Sequence, residues 1–369
     1  MKSAIIAMTL YQTQGADRLT WQQAEALSRK GDEVSIFTFS TRFNQLQNIK
    51  LIKMGMPAGF YSEKIFRICL PVNFIKAYQW VPRLKGFDIV YAHGYPASWF
   101  AYLSKIFFGV KYIHYFYHIN TPGFFPGLFP RIYTTIQLFF EKITLSKADG
   151  AITISEFAQQ QLTKFAKLES KVIYPQIDCI RFQPDIDRRK IRDRYDIGDA
   201  PLVLFVGGIS PQKCIHLLIN AFKILKIDIP NARLLIVGKF LFDSYTDLLK
   251  QMSDDSVVFS GELADEDIPY CYAACDVYVS ASRWEGFNLP LAEAQACGRP
   301  VVAFNIGPHP EVMIDEVTGF LVPELDLPAM AEKIELLLCD EKLKNAMGKA
   351  ARGFITEKYS ENQYLNIEF

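Results

Sequence analysis

Residues Trp284–Asn305 read WEGFNLPLAEAQACGRPVVAFN. Before them stands DVYVSAS (276–282), a β-branched and aromatic run expected to be a buried strand. After Gly298 comes PVVAF, a second strand. LPLAEAQAC between them predicts a helix, with Asn288 as its cap and Pro290 in its first turn. Strand, turn, helix, strand is one parallel crossover unit. Its turn, 283–288, falls where open α/β sheets take ligands, at the carboxyl ends of their strands.

Two carboxylates sit in this unit: Glu285 in the turn and Glu293 eight residues later, near the start of the helix. Helix N-termini favour anions, so a diphosphate would suit the free N–H groups of Asn288 and Leu289. Ionised carboxylates only accept hydrogen bonds, which matches the paired hydroxyls of a sugar or ribose. Together these features suggest a nucleotide sugar. The plain alternative is that Glu285 is a solvated loop residue and Glu293 complements the helix dipole.

The string E-G-F-x-L-P-x-x-E-A-x-A-x-G-x-P-V-V resembles the E-x7-E signature of retaining GT-B glycosyltransferases of family 4, the glycosyl transferases group 1. The resemblance implies that Glu285 contacts the donor sugar and Glu293 the ribose. It also implies that amides at Phe287–Leu289 contact sugar and phosphate. Asn288 stands where the family usually has Gly, beside the sugar.

At 369 residues, half of them hydrophobic, the chain suggests about two globular domains. Its seven cysteines are scattered, and buried thiols in a reducing compartment fit better than zinc or disulfides. AIIAM (4–8) is too short for a signal peptide, and no run reaches the ~18 uncharged apolar residues of a membrane span. Net charge is zero, yet residues 1–180 carry 20 Lys and Arg against 11 Asp and Glu, and residues 181–369 carry 20 against 29. The halves, +9 and −9, are expected to meet different partners.

The first half opens with strand SAIIAMTL, turn YQTQGADR, helix LTWQQAEALSRKG and strand EVSIFTF, a doubly wound start. The turn lacks G-x-G-x-x-G. It resembles the family's first loop, G-G-A-E/D-R, with Gln14 in place of the first Gly. Gly15 still permits close approach to a ligand and is assigned to the donor; Asp17, the nearest acid, is assigned with His118 to the acceptor. FDIVYAHG (87–94) and KYIHYFYH (111–118) read as strands ending in His93 and His118. His118 resembles the family's loop histidine near the donor sugar and implies an orienting role there; His93 and His114 read as structural. Residues 60–147 hold 24 of the chain's 51 Phe, Tyr and Trp, interleaved with basic side chains. Phe124, Phe125 and Phe129 in a Pro/Gly-rich loop suit an anionic membrane interface, whereas Tyr115 and Phe116 suit a core.

ADGAITISEFAQQQL (148–162) gives a strand, a Ser155 cap and a helix. A-D-x-h-I-x-x-S and Y-P-x-h-D-x-x-R-F, with h for an apolar residue, are frequent in the family. The Y-P form is most similar to GDP-mannose-using members. The charged run DIDRRKIRDRYDIGDA marks the domain linkage, placing an acceptor-binding domain at 1–184 and a donor-binding domain at 185–369. The second half restarts with strand PLVLFVGG (201–208) and its helix, followed by ARLLIVGK, VVFSGEL and a helix from 268. Gly207, Gly208 and Glu262 are assigned to the donor site. Lys213 would meet the β-phosphate as a point charge and stabilise the departing diphosphate. Gly208 stands where the family usually has an Arg paired with that Lys, so one phosphate cation is absent unless Arg283 or another cation replaces it.

The resemblance therefore implies an α/β chain of GT-B type, two doubly wound Rossmann-like domains facing a cleft. It implies retaining transfer of a hexose without a metal or other cofactor. Mannose from GDP-mannose is favoured over a UDP-sugar, and the acceptor is lipid-linked or a surface glycan. The expected place is cytoplasmic, peripheral at the inner membrane face, with no nucleic acid as partner. The rivals are a catalytically silent nucleotide-sugar-binding partner subunit, which Gly208 permits, and a GT-B epimerase or phosphorylase, which the intact E-x7-E disfavours. ITEKYSENQYLNIEF is expected to form only a short last helix, with looser domain closure or a protein partner supplying the missing contact.

Overall fold

The computed structural model describes all residues except 12–14, 44–47, 58, 120–121, 125–126 and 367–369. The chain forms two compact units, Met1–Pro175 with Asn362–Phe369, and Gln176–Glu361. The sequence reading divides the chain at 184/185; the units divide at Pro175/Gln176.

The first unit holds a seven-stranded parallel sheet: β1 (Lys2–Leu10), β2 (Glu33–Thr41), β3 (Lys50–Lys53), β4 (Ile89–His93), β5 (Lys111–Phe116), β6 (Gly150–Thr153) and β7 (Ser170–Val172). Their order is β3-β2-β1-β4-β5-β6-β7, so the winding reverses between β1 and β4. β3 carries no apolar alternation that announces it. The first helix runs Gly15–Arg29, so Gly15 opens the helix instead of sitting within a turn.

The second unit has six parallel strands: β8 (Leu202–Val206), β9 (Arg233–Val237), β10 (Val257–Gly261), β11 (Val277–Ser280), β12 (Val301–Phe304) and β13 (Gly319–Val322). They run β10-β9-β8-β11-β12-β13, reversing between β8 and β11. β8 and β11 are buried along their whole length. That explains their unbroken apolar sequences: helices cover both faces of a parallel sheet. The charged run after 185 belongs to this unit. Its Arg192 is buried, donating through Nε to the Ala274 carbonyl (2.9 Å) and through a terminal nitrogen to Asp276 (2.9 Å).

Two expectations about local structure are corrected. The last long helix spans Glu341–Tyr359, 19 residues. It is not short: Asp340 caps it through Leu343 N, and Ile355 and Tyr359 are buried. Beyond it, Tyr364 lies buried in the first unit with its hydroxyl on that of Tyr115. Strand β5 stops at Phe116, leaving His118 two residues past its end.

Candidate donor site

The crossover unit is present as β11, the helix Leu289–Ala296, and β12, with Tyr278, Val279 and Ser280 paired to Val301, Val302 and Ala303. The turn between β11 and the helix lies beside the loop after β8, at the carboxyl edge of the sheet where its order reverses. The Arg283 amide donates to the Gln212 carbonyl (3.4 Å). Lys213 Nζ donates to both oxygens of Glu285, at 2.6 and 2.8 Å. The Lys213 side chain is 21% exposed and that of Glu285 9%, so the pair is largely shielded from water.

This ion pair decides the state of Glu285. Burial pushes its pKa up, but the Lys213 charge and hydrogen bonds, aided by His309 and Ser282, outweigh burial and hold it below the ordinary glutamate range. Glu285 is therefore not a solvated loop residue. It is an ionised acceptor pinned beside a cation, the arrangement expected where a sugar meets a phosphate.

Glu293 lies in the middle of its helix, buried, and accepts from the Tyr272 hydroxyl at 2.8 Å. It does not sit in the first turn as a dipole partner. Phe287 packs its ring edge-on against Tyr359 (5.3 Å) within the core; its side chain is structural. Leu289 opens the helix.

Asn288 takes the cap position, but its side chain does not cap the helix. Its backbone is left-handed, φ 75° and ψ 66°, a conformation that glycine adopts freely and asparagine best among the rest. Its amide nitrogen instead donates to Ser280 Oγ (3.2 Å) and meets His309 Nε2 (2.9 Å).

After β8, Gly207 and Gly208 continue as a ribbon against residues 237–241: Gly207 N to Val237 O (2.9 Å), Ile209 N to Lys239 O (2.9 Å) and Leu241 N to Ile209 O (3.1 Å). A Cβ on Gly238 would stand 1.8 Å from the Gly207 carbonyl oxygen, so Gly238 is fixed by this close approach. Arg283, the residue that could replace the missing arginine, donates through Nε to Glu324 (2.6 Å). Glu262 is exposed just past β10, the outermost strand on that side. It does not lie on the strands that carry Lys213 and Glu285.

Sequence reasoning missed Gly238, Tyr272, Ser280 and His309. The I-G-P-H-P segment after β12 was the available signal for His309: a histidine between prolines at the same edge of the sheet.

In the first unit, Asp17 is buried and accepts from Thr9 Oγ1 (2.9 Å) and the Tyr11 amide (2.8 Å). Burial raises its pKa despite these bonds. His93 ends β4 and meets Gln23 Oε1 (2.7 Å), Tyr117 Oη (2.6 Å) and Thr20 Oγ1 (3.2 Å); burial, with His114 near, lowers its pKa to about 3. His114 bonds Glu141 (2.6 Å) and Tyr112 (2.5 Å). Both fit the structural roles expected of them. His118 is half-buried. Gln14, Thr121 and Phe125 fall outside the described residues, as does the Phe124 side chain. Among the described residues no three His, Cys, Asp or Glu side chains gather as a metal site, and all seven cysteines are free.

Comparison with known proteins matches each unit. The description "Glycosyl transferases group 1" matches residues 187–354, and "Glycosyltransferase Family 4" matches 13–181. A curated relative from Mycolicibacterium smegmatis, the GDP-mannose-dependent alpha-(1-6)-phosphatidylinositol monomannoside mannosyltransferase, is 34% identical over 50% of this chain and 51% of its own length. The chain spans about half the length of the first curated relatives it matches. Among solved structures, the sucrose-phosphate synthase from Thermosynechococcus elongatus superposes with a TM-score of 0.85 at 23% identity, over 99% of this chain and 96% of that one. The Anabaena HepE protein, solved with UDP and glucose, gives 0.82 at 22% identity, over 99% and 97%.

Proposed function

Because the chain belongs to the group 1, family 4 glycosyltransferases, and its two doubly wound α/β units are those of the GT-B fold, we propose that it transfers a hexose from a nucleotide sugar held by the second unit. The observation that carries this reading is the Lys213–Glu285 pair at the point where the winding of the second sheet reverses. It sets a fixed cation and a fixed, ionised acceptor side by side, next to a helix N-terminus.

In this reading the diphosphate lies along Gly207, Gly208 and the first amides of the helix Leu289–Ala296. Lys213 turns part of its charge from Glu285 to the β-phosphate and stabilises the departing nucleoside diphosphate. Glu285, freed of one hydrogen bond, accepts from sugar hydroxyls. Glu293, oriented by Tyr272, accepts from the ribose. Transfer is retaining and independent of a metal, with the leaving phosphate helping to take the acceptor proton. His118 orients the sugar. Mannose from GDP-mannose is the favoured donor, which the mycobacterial relative supports; the HepE structure, solved with UDP and glucose, keeps a UDP-sugar as the alternative.

The acceptor, lipid-linked or a surface glycan, belongs to the first unit, with Asp17 and His118 on its side. Membrane contact from the cytoplasmic side is supported by the helix Phe74–Trp80, which buries none of its residues. Phe74, Ile75 and Tyr78 on it are 77%, 72% and 84% exposed. Exposed Arg83 and Lys85 follow at once, and residues 60–87 carry five basic side chains against Glu63 alone. That mixture of rings and cations suits reversible adsorption to anionic lipid. Among the described residues no helix is long and apolar enough to cross a membrane.

The test is a thermal-shift panel of GDP-, UDP- and ADP-sugars on the purified protein, followed by transfer assays with the sugar nucleotide that stabilises it most. Stabilisation with transfer is expected. Stabilisation without transfer to any lipid or glycan acceptor would favour the silent partner subunit. No stabilisation by any nucleotide would remove the donor-site reading.

A further inference from the structure

At the edge of the second sheet a buried chain of hydrogen bonds serves no purpose in the scheme above. His309 is fully buried at the start of a short helix, His309–Val312. Its Nδ1 lies 2.7 Å from the Phe304 carbonyl oxygen, at the end of β12. A carbonyl only accepts, so Nδ1 carries the hydrogen. The Nε2 lone pair is then open to the Asn288 amide nitrogen at 2.9 Å, and the same nitrogen donates to Ser280 Oγ at the end of β11. The hydrogen bonds then run one way, from Asn288 through His309 to β12.

We propose that His309 is a positioning residue for the sugar end of the donor site, acting through Asn288. The inference rests on the donor-site reading given above. Asn288 closes the turn that carries Glu285, and its left-handed backbone is one that other side chains resist. An unsupported turn of this kind can relax. Tethering Asn288 to both β11 and β12 fixes the sugar side of the turn, the direction of Glu285, while the phosphate-facing amides are held by their own helix. The usual glycine at 288 permits the same backbone but supplies no tether. This chain therefore replaces a permissive turn with a locked one, and the lock lies beside the sugar, not beside the nucleotide. Burial lowers the His309 pKa, which keeps Nε2 an acceptor at neutral pH.

The experiment compares the affinities of UDP with UDP-glucose and of GDP with GDP-mannose by calorimetry. Wild type, His309→Leu, His309→Gln and Asn288→Gly are measured. His309→Leu and Asn288→Gly should bind the nucleoside diphosphate within about twofold of wild type, yet lose about tenfold in what the sugar adds, the loss of roughly one well-placed hydrogen bond. His309→Gln, whose amide can accept from Asn288 and donate to Phe304, should recover most of it. Nitrogen-15 spectra of the ring should show the neutral Nδ1–H tautomer. An Nε2–H tautomer, equal loss for diphosphate and sugar nucleotide, or no loss in either variant would overturn the proposal. So would a wild type that binds the diphosphate but gains nothing from the sugar; that result would leave the phosphate and ribose assignments standing. A wild type that binds no nucleotide would remove the donor-site reading itself, and the proposal with it.

Discussion

Each unit places a buried carboxylate near the carboxyl edge of its sheet, close to where the winding reverses, and the two are held in opposite ways. Asp17 in the first unit accepts only from neutral donors, the Thr9 hydroxyl and the Tyr11 amide, and burial raises its pKa. Glu285 in the second is gripped by Lys213, and its pKa is lowered although burial alone would raise it. Two neutral hydrogen bonds do not offset the desolvation of a carboxylate, whereas one close cation does. The second site is thus poised as a charge pair that a phosphate can reopen. The first is a polar brace between β1 and the helix Gly15–Arg29.

Removing Lys213 should break this contrast most sharply. Lys213→Ala leaves Glu285 buried without its cation, so its pKa should rise above the ordinary glutamate value, as that of Asp17 does above its own. Transfer should fall about 10²-fold or more, and the second unit should lose about 2–4 kcal/mol near pH 7, where breaking a shielded ion pair from one side is costly. The pH dependence follows from linkage. In wild type the folded carboxyl titrates below the unfolded value of about 4.3, so the pair stabilises above that pH and its contribution fades as pH falls through the folded value. In Lys213→Ala the order reverses, and stability should fall as pH rises. Denaturant titrations from pH 3 to 8 would read both slopes; parallel curves would mean that the pair does not govern Glu285. Gly208→Arg probes the same place from the other direction. A Cβ there meets only the Leu241 tip at 3.1 Å, so the variant should fold and gain rate.

The fold was legible because apolar runs such as LVLFV and VYVS have one reading, buried parallel strands, and because the turn after β11 sits in an ordered string of residue types. Glu285 and Glu293 were singled out from that string, and Lys213 from its place after the Gly207–Gly208 turn. Their partners were not. Tyr272 and Glu293 lie 21 residues apart, and Asn288 and His309 another 21; nothing in local periodicity links them. Asn288 was read as a helix cap since asparagine commonly is one, but its left-handed backbone turns the side chain away from its own helix. The last helix was underestimated since its apolar face, Met347, Ala351, Ile355 and Tyr359, is diluted by glycine, arginine and lysine. β3 and the exposed rings of Phe74–Trp80 depend on tertiary packing alone.

Within the second site, Glu285 and Glu293 should separate. Glu293→Ala removes an acceptor oriented by Tyr272 and should weaken nucleoside diphosphate binding, by the roughly 1.5–3 kcal/mol of a charge-assisted bond. Glu285→Ala should abolish transfer while sparing that affinity. Tyr272→Phe, which removes only the donor at 2.8 Å, should show a smaller loss of the same kind as Glu293→Ala. Unchanged nucleotide affinity in Glu293→Ala together with persisting transfer in Glu285→Ala would sink both assignments.

The units also differ at their surfaces, +9 in residues 1–180 against −9 beyond. If the helix Phe74–Trp80 rests on anionic lipid, Phe74→Ser/Tyr78→Ser should lower recovery with anionic liposomes several-fold at low salt, each ring contributing about 1 kcal/mol to adsorption through buried apolar area. High salt should release wild type, because each basic residue near the surface is worth about 1 kcal/mol and is screened. Phe129→Ser, at a ring only 39% exposed, should do less. Equal flotation of all three proteins would return these rings to the role of packing surface.

The smallest effect is expected at Asp17, and it carries the opposite sign to that at Lys213. Asp17→Asn keeps one acceptor for Thr9 or Tyr11 and turns an amide toward the other donor, so a bond is lost. It also removes the cost of a buried charge. The two nearly cancel, leaving a net loss of about 1 kcal/mol near neutral pH. The slopes distinguish the variants. A carboxyl whose folded pKa lies above its unfolded value of about 3.9 binds more protons in the folded state between those two values, so wild-type stability rises as pH falls through that window. The asparagine variant has no such titration, and its deficit should widen on acidification toward the unfolded value. In Lys213→Ala the paired comparison runs the other way, because wild type loses its ion pair as the pH drops and the deficit narrows. A deficit in Asp17→Asn that narrowed toward acid would mean that a cation governs Asp17 too, and the two carboxylates would then be held alike.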